Sequence, residues 1–199
     1  NINFYYVLIK PYEFLLINSF FLWPFQLPIS KIFGVDGVSI LFMALTLVLI
    51  FLCILFLWPT MKYDKNIVLY FSQLLLLLTQ LQATFTALDI LTFFIAFESL
   101  LIPMIIMIAL WGSKNNRQAN NYLIFYTMVS AIPMLLAILY LTYKLGTTNL
   151  LLLKYKMNEL TFIEQAVIWL SFFFAFAVKT PMVPFHIWLP KAHVDAPTT

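Results

Sequence analysis

The sequence predicts an all-α, polytopic membrane protein with about five transmembrane helices, the last of them discontinuous. Hydrophobic residues fill 63% of the 199 positions and charged residues only 10%, against roughly a quarter charged in soluble domains. Apolar stretches recur at the length of about 20 residues that a helix needs to cross hydrocarbon. Most charged residues lie between these stretches. The excess of Leu, Ile and Phe must therefore face lipid or other helices.

Residues 1–37 are predicted to form a membrane-surface segment that precedes the transmembrane bundle of residues 38–199. The segment is apolar, but Pro11, Pro24 and Pro28 interrupt it, so one short helix is expected at most. No small-residue cleavage site follows its apolar part, and a signal peptide is not predicted.

Four predicted spans are uninterrupted apolar stretches. Proline closes the first and glycine stops the third, as is usual at helix ends. The four are Val38–Trp58, Ile67–Leu88, Ile90–Trp111 and about Tyr122–Tyr143.

The fifth span differs from the others because polar and helix-breaking residues lie inside it. It starts near Phe162 and stays apolar to Trp188, yet it contains Lys179, Pro181 and Pro184. Proline removes a backbone hydrogen bond and its ring collides with a preceding carbonyl, so we expect a break. Since lipid cannot satisfy the carbonyls at a break, this one must face protein or a water-filled cavity.

Composition and motifs exclude several other classes. The net charge of +3 is small and scattered, without the basic and aromatic stripe that follows a phosphate backbone, so nucleic acid is not an expected partner. Lipids are expected partners because of the apolar excess. The lone Cys53 lies in an apolar stretch and is interpreted as a packing residue. No phosphate loop, paired-cysteine motif or haem attachment sequence occurs. We therefore expect no metal, cofactor or redox centre on this chain.

Two charged residues lie where a membrane does not tolerate them. Glu98 is near the middle of the third span and Lys179 is inside the fifth. Each would cost about 2.5 to 3.5 kcal/mol at a helix centre. We expect them to pair across the bundle, because opposite charges compensate each other's burial. Pro103 cannot donate a backbone hydrogen bond to residue 99, which would loosen the turn beside Glu98.

The pair has a structural and a functional interpretation. A buried ion pair can simply fix the helix register, and a lysine near Pro181 can extend to the membrane surface. Alternatively, the two groups load and release a proton when a neighbouring charge moves, as ionisable chains in pumps do. His186, Lys191 and His193 follow Lys179 on the broken segment, which is the pattern of a proton relay. Histidines near a membrane surface are also common as structural groups.

Residues 177–194, AVKTPMVPFHIWLPKAHV, resemble subunit 4 of NADH dehydrogenase, one of the antiporter-like subunits of respiratory complex I. The core Lys-x-Pro-x-x-Pro-x-His-x-Trp-Leu-Pro is similar in subunits 2, 4 and 5, and the following Lys-Ala-His-Val favours subunit 4. Gly34–Ser39 resembles the start of the family's third helix. Phe97–Met104 and Leu110–Ser113 resemble its fifth helix.

The resemblance covers about Gly34 to Thr198 and implies that the spans are family helices three to seven. It implies that Glu98 is the essential buried glutamate, Lys179 its partner lysine, and His186 and His193 positions on a path toward the central hydrophilic axis. It further implies that the loops bearing Lys62, Lys114 and Lys191 lie on the matrix side. The high Phe, Ile and Asn content with only four Gly suggests AT-rich coding, which favours a mitochondrial inner membrane over the alternative, a bacterial inner membrane. NADH, FMN, Fe-S clusters and ubiquinone would belong to the whole complex, and the other membrane-arm subunits would be partners.

The sequence departs from the family at its end. It stops at Thr199, where the family continues through another helix with a buried lysine and a second inverted repeat. Inverted repeats build a transport site at their interface, so we expect a separate polypeptide to supply the rest of subunit 4. Two alternatives remain open: a subunit of a multi-subunit Na+/H+ antiporter, and a scaffold fragment of complex I that moves no protons.

Overall fold

The computed structural model describes residues 15–16, 32–61, 66–112 and 116–195, and this part of the chain is almost entirely helical. Two short strands, β1 (Leu15–Leu16) and β2 (Gly34–Val35), pair antiparallel. The α-helices are α1 (Gly37–Met61), α2 (Ile67–Thr86), α3 (Ile90–Ser99), α4 (Leu101–Trp111), α5 (Asn116–Leu145), α6 (Leu150–Lys156), α7 (Phe162–Lys179) and α8 (Trp188–Asp195). Met157–Glu159 and Phe185–Ile187 form 3-10 turns.

Within the described residues, five helical spans are long and apolar enough to cross a membrane, which confirms the predicted number. They are Gly37–Pro59, Ile67–Thr86, Ile90–Trp111, Asn116–Leu145 and Phe162–Lys179. The fourth begins six residues before the predicted Tyr122, because its polar first turns are helical as well. Asn116 and Asn120 in those turns donate hydrogen bonds to carbonyls of α4, which makes a polar start compatible with a packed helix.

Most of the predicted membrane-surface segment, residues 1–37, lies outside the described residues. The part that is described ends at the N-terminus of α1, where the Oδ1 atom of Asp36 accepts a hydrogen bond from the backbone N–H of Ser39 at 2.6 Å. This is the usual way that an aspartate caps a helix N-terminus. A Cβ at Gly34 in β2 would lie 2.5 Å from the Cδ1 atom of Leu88, so a larger residue there would force the leucine side chain to shift.

The described chain divides into two compact units. The first contains the residues up to Phe97 together with Asn149–Leu151. Its spans α1 and α2 pack against each other, and the Nε2 atom of Gln82 donates to the carbonyl of Met43 at 3.1 Å and to the hydroxyl of Thr46 at 2.8 Å. A polar side chain inside a span thus ties the two helices together.

The second unit contains Glu98–Thr148 and the residues from Leu152 onward. Its central element is α5, which packs against α4, α7 and α8. The apolar core of this unit consists of buried residues from all four helices: Ile108, Ala119, Leu123, Val178, Trp188 and Ala192. Every candidate site residue with a described side chain belongs to this unit.

The predicted interruption of the fifth span is confirmed. Helix α7 ends at Lys179, a 3-10 turn follows at Phe185–Ile187, and α8 begins at Trp188. Trp188 therefore starts a helix, whereas the apolar pattern made it the end of the span. The third span is also interrupted, between Ser99 and Leu101, at the position where Pro103 was expected to loosen the turn. The short helix α6 was not predicted, since seven residues are too few to span a membrane.

Candidate functional site

The two charges that the sequence placed inside spans meet in the structure. The Nζ atom of Lys179 lies 3.5 Å from the Oε1 atom of Glu98, and each side chain is 18% exposed. The predicted pairing is thereby confirmed. Because both groups are mostly removed from solvent, each supplies the counter-charge that the other needs.

Glu98 lies where the third span changes from one helix to the next. Helix α3 ends at Ser99 and α4 begins at Leu101, while Leu100 between them keeps helical backbone angles, with φ −55° and ψ −26°. Pro103, in the first turn of α4, provides no backbone N–H for the preceding turn. The carboxylate is therefore attached to a point where the ladder of backbone hydrogen bonds is interrupted but the path of the chain is still helical.

Lys179 is the last residue of α7, so its ammonium lies at the helix end where carbonyl groups point outward. A cation is favoured there by the helix dipole. The hydroxyl of Thr180 donates to the carbonyl of Phe176 at 2.8 Å, and the backbone N–H of Met182 donates to the carbonyl of Ala177 at 2.8 Å. Two carbonyls of the last turn are thus satisfied beside the lysine.

The carbonyl of Val178 is satisfied by a side chain from beyond the break. The indole Nε1–H of Trp188 donates to it at 2.9 Å, and this bond is buried. Ala177 and Val178 are each 1% exposed, so the backbone immediately before the break faces protein, as predicted. Met182 and Val183 are exposed in this chain. The tryptophan of the motif therefore has a structural role that sequence reasoning missed: it closes the break that the prolines open.

The remaining predicted relay residues lie beyond the break, in the 3-10 turn and in α8. His186 lies in the 3-10 turn and its side chain is exposed. The ammonium of Lys191 lies 3.4 Å from the centre of the Tyr122 ring, which is a close cation–π contact. The backbone of His193 is in α8, and its side chain lies outside the described residues. The relay through these three residues stays a prediction.

A second acid–base pair, which the sequence did not single out, lies at the opposite end of α7. Glu164 accepts hydrogen bonds from the ammonium of Lys144 and from the hydroxyl of Tyr140, both near the C-terminus of α5. It also completes a capping box with Thr161. Threonine followed three residues later by glutamate is the sequence signal that could have identified the cap. Within the described part of the chain, no group of three His, Cys, Asp or Glu side chains could hold a metal ion.

Comparison with known proteins agrees with the earlier resemblance. A family model described as the transmembrane part of NADH:quinone oxidoreductase/Mrp antiporters matches residues 87–199, more than half of the chain. The chain belongs to this family. The five spans and the family match together make it a multi-pass membrane protein with the antiporter-like fold.

Relatives in the family are much longer. The chain is 43% identical over 188 residues to NADH-ubiquinone oxidoreductase chain 4 of Chondrus crispus, covering 94% of this chain and 37% of that one. A chain in the structure of respiratory complex I from Thermus thermophilus with bound NADH has a TM-score of 0.72 at 29% identity, with 97% of this chain and 40% of that chain covered. A chain of an archaeal membrane-bound sulfane sulfur reductase has a TM-score of 0.71 at 25% identity, with coverages of 97% and 30%.

Proposed function

We propose that this chain is part of a proton-translocating subunit in the membrane arm of respiratory complex I, the NADH:ubiquinone oxidoreductase. The buried Glu98–Lys179 pair carries this proposal, because it is an acid and a base held 3.5 Å apart inside membrane spans. The 43% identity to a chain 4 of that enzyme supports this particular complex. The fold alone does not distinguish it, since a sulfane sulfur reductase complex contains a similar chain.

The proposed mechanism uses the pair as an electrostatic switch. With the pair closed, a carboxylate and an ammonium compensate each other. When a nearby charge changes during quinone chemistry elsewhere in the complex, the two separate, and each is left as an isolated charge at a cost of about 2.5 to 3.5 kcal/mol. Glu98 lowers this cost by taking up a proton, and Lys179 lowers it by releasing one.

The interrupted helices support a switch of this kind. Glu98 lies beside the interruption between α3 and α4, and Lys179 is the last residue of α7 before the break. Side chains at such points move when a local turn rearranges, without displacement of a whole packed helix. His186, Lys191 and His193 are proposed to continue the path from Lys179 toward the matrix side.

The redox chemistry belongs to other chains under this proposal. NADH, FMN, Fe-S clusters and ubiquinone bind elsewhere in the complex, and the other membrane-arm subunits are the partners. Under the same proposal, the chain lies in the mitochondrial inner membrane. Mass spectrometry of the purified complex tests the expected second polypeptide: a separate chain carrying the remaining family helices supports it, and one longer chain contradicts it.

The decisive experiment replaces Glu98→Gln in the intact complex, with Glu164→Gln as the matched control. Both changes remove one carboxylate from α-helical spans and keep its shape, but Glu98 pairs with Lys179 between two interrupted spans, whereas Glu164 pairs with Lys144 at the ends of α5 and α7. We expect E98Q to abolish NADH-driven proton pumping into liposomes and to slow coupled NADH oxidation, while E164Q keeps both. Unchanged pumping in E98Q would support the scaffold alternative. A purified complex that holds no redox subunits would support the antiporter alternative.

A further inference from the structure

A groove with a volume of about 500 Å³ lies along the outer face of α5, in the second unit. Its described lining begins with Asn121 and Tyr122 and ends with Ile132. Phe125 and Met128 line it between these ends, and their side chains are 66% and 58% exposed. The groove therefore has a polar end and an apolar body.

The length of the groove matches the depth of one membrane leaflet. Ile132 follows Asn121 by eleven positions, which is about 16 Å along a helix axis. The hydrocarbon core of a bilayer is about 30 Å thick, so one leaflet supplies about half of that depth. Tyr122, at the polar end, is of a residue type that is enriched at the membrane surface. The polar end thus lies near the headgroups, and the apolar body lies at the depth of the acyl chains.

Two cations lie at the polar end of the groove. Arg117 is exposed and lies one helical turn before Asn121, on the same face of α5. The ammonium of Lys191 lies over the ring of Tyr122, 3.4 Å from its centre. None of the described residues that line the groove is acidic, and Asp195 is the one acid in α8. The polar end therefore has an excess of positive charge, which a bound anion would compensate.

The combination of a cationic end and an apolar body fits a phospholipid better than a second protein helix. A phospholipid joins a phosphate to acyl chains that fill one leaflet, so a single molecule meets both parts of the groove. Basic residues near a membrane surface attract anionic lipids, whose headgroups stay hydrated there. A protein helix on this face would instead have to bury an acid against the two cations, which costs the hydration of both charges.

We propose that this groove is a binding site for an anionic phospholipid. The phosphate lies between Arg117 and Lys191, and an acyl chain lies along Phe125, Met128 and Ile132. The ammonium of Lys191 then has a counter-charge in addition to the tyrosine ring beneath it. This inference goes beyond the proposed function, since it concerns a bound lipid and holds whether or not the Glu98–Lys179 pair moves protons.

Photochemical labelling of the intact purified complex tests the site. The probe is phosphatidylglycerol with a diazirine in its acyl chain, cross-linked by light and located by mass spectrometry of the peptides. We expect label within residues 125–132. Unlabelled phosphatidylglycerol should compete with the probe at a concentration about fivefold lower than phosphatidylcholine, because only the first carries a net negative charge. Inorganic phosphate should not compete, since it lacks the acyl chain.

Two pairs of variants test the two parts of the groove. Arg117→Gln removes a cation from the polar end and should lower the labelling about fivefold, whereas Lys154→Gln removes an exposed cation on α6 and should leave it unchanged. Met128→Trp fills the apolar body and should abolish the labelling. Leu139→Trp is its control, because Leu139 is 52% exposed on the same face of α5, about 10 Å beyond Ile132.

Three results would overturn the proposal. Absence of label from residues 125–132 in the unmodified complex would mean that protein covers this face. Equal competition by the two phospholipids, with R117Q labelled as strongly as K154Q, would mean that the groove holds exchangeable lipid of any headgroup. Competition by inorganic phosphate would mean that a free anion occupies the cationic end. R117Q changes only an exposed side chain, so it keeps the test decisive if M128W fails to assemble.

Discussion

The two ends of helix α7 hold the same pair of chemical groups in different surroundings. At its start, Glu164 binds Lys144, and the glutamate and lysine side chains are 21% and 36% exposed. At its end, Lys179 binds Glu98, and both side chains are 18% exposed. An exposed pair contributes little stability because water already solvates each partner. A buried pair depends on its partner, so a change of one charge there forces a change in the other.

The contacts that hold the two ends of α7 in place also differ. The start of α7 is fixed by a capping box, in which Thr161 and Glu164 satisfy each other's backbone groups. The end of α7 is closed by contacts from beyond the break, with Trp188 bonded to the carbonyl of Val178. The first end is a local helix cap that its own residues complete. The second end depends on a separate helix, α8, and we infer that this is where the helix rearranges.

The largest expected effect is the difference in stability between variants of the two lysines. Lys179→Met leaves the Glu98 carboxylate without its partner in a mostly buried site and should destabilise the second unit by about 3 to 5 kcal/mol. Lys144→Met removes the corresponding charge from the more exposed pair, where Glu164 keeps the Tyr140 hydroxyl as a hydrogen-bond donor, so the loss of stability should be smaller. Heat dissociation of the purified complex, followed on native gels, measures both. Equal heat stability in the two variants would contradict the distinction between the pairs.

A smaller effect is expected from the tryptophan that closes the break. Trp188→Phe keeps the ring but removes the indole N–H, which leaves the buried carbonyl of Val178 unsatisfied at about 1 to 3 kcal/mol. Trp169→Phe is the control, because Trp169 is 61% exposed on the same span. Backbone hydrogen exchange, measured by mass spectrometry, should become faster in residues 176–188 only in W188F. Unchanged exchange there would show that the break is held by other contacts.

The smallest effect concerns the cap at the start of α7. Thr161→Ala removes the hydroxyl of the capping box and should cost about 0.5 to 2 kcal/mol. Exchange should quicken in the first turn of α7, and proton pumping per NADH oxidised should stay as in the unmodified complex. A loss of pumping would mean that the Glu164 end of the helix takes part in proton transfer, and the contrast between the two ends would fail.

Much of this arrangement could be predicted from the sequence because a membrane penalises charge strongly. Apolar length predicted the bounds of the first three spans closely, but it missed the polar start of the fourth and the end of the fifth at Lys179. The same penalty singled out Glu98 and Lys179. Glu164 and Lys144 were missed because they lie at the ends of spans. A charge there can be solvated, so its position in the sequence gives no sign that it has a partner. The sequence predicted the break in the fifth span from its prolines, since a missing backbone donor is a local property.

The contacts that close the break and pack α5 on α4 could not be predicted in this way. Trp188 counted as one more apolar residue of a span, and its hydrogen bond to Val178 depends on how the chain returns after the break. Asn120 lies just before the predicted start of its span at Tyr122, so its polar side chain was assigned to a loop. Only the packing of α5 on α4 shows that this amide is buried.

The central claim is that Glu98 changes its protonation state when the complex turns over. Infrared difference spectroscopy of the intact complex, recorded on addition of NADH and compared between the unmodified protein, Glu98→Gln and Glu164→Gln, tests this directly. We expect the band of a protonated carboxylic acid to appear in the unmodified protein and in E164Q and to be absent in E98Q. The same band at the same intensity in all three would contradict the account.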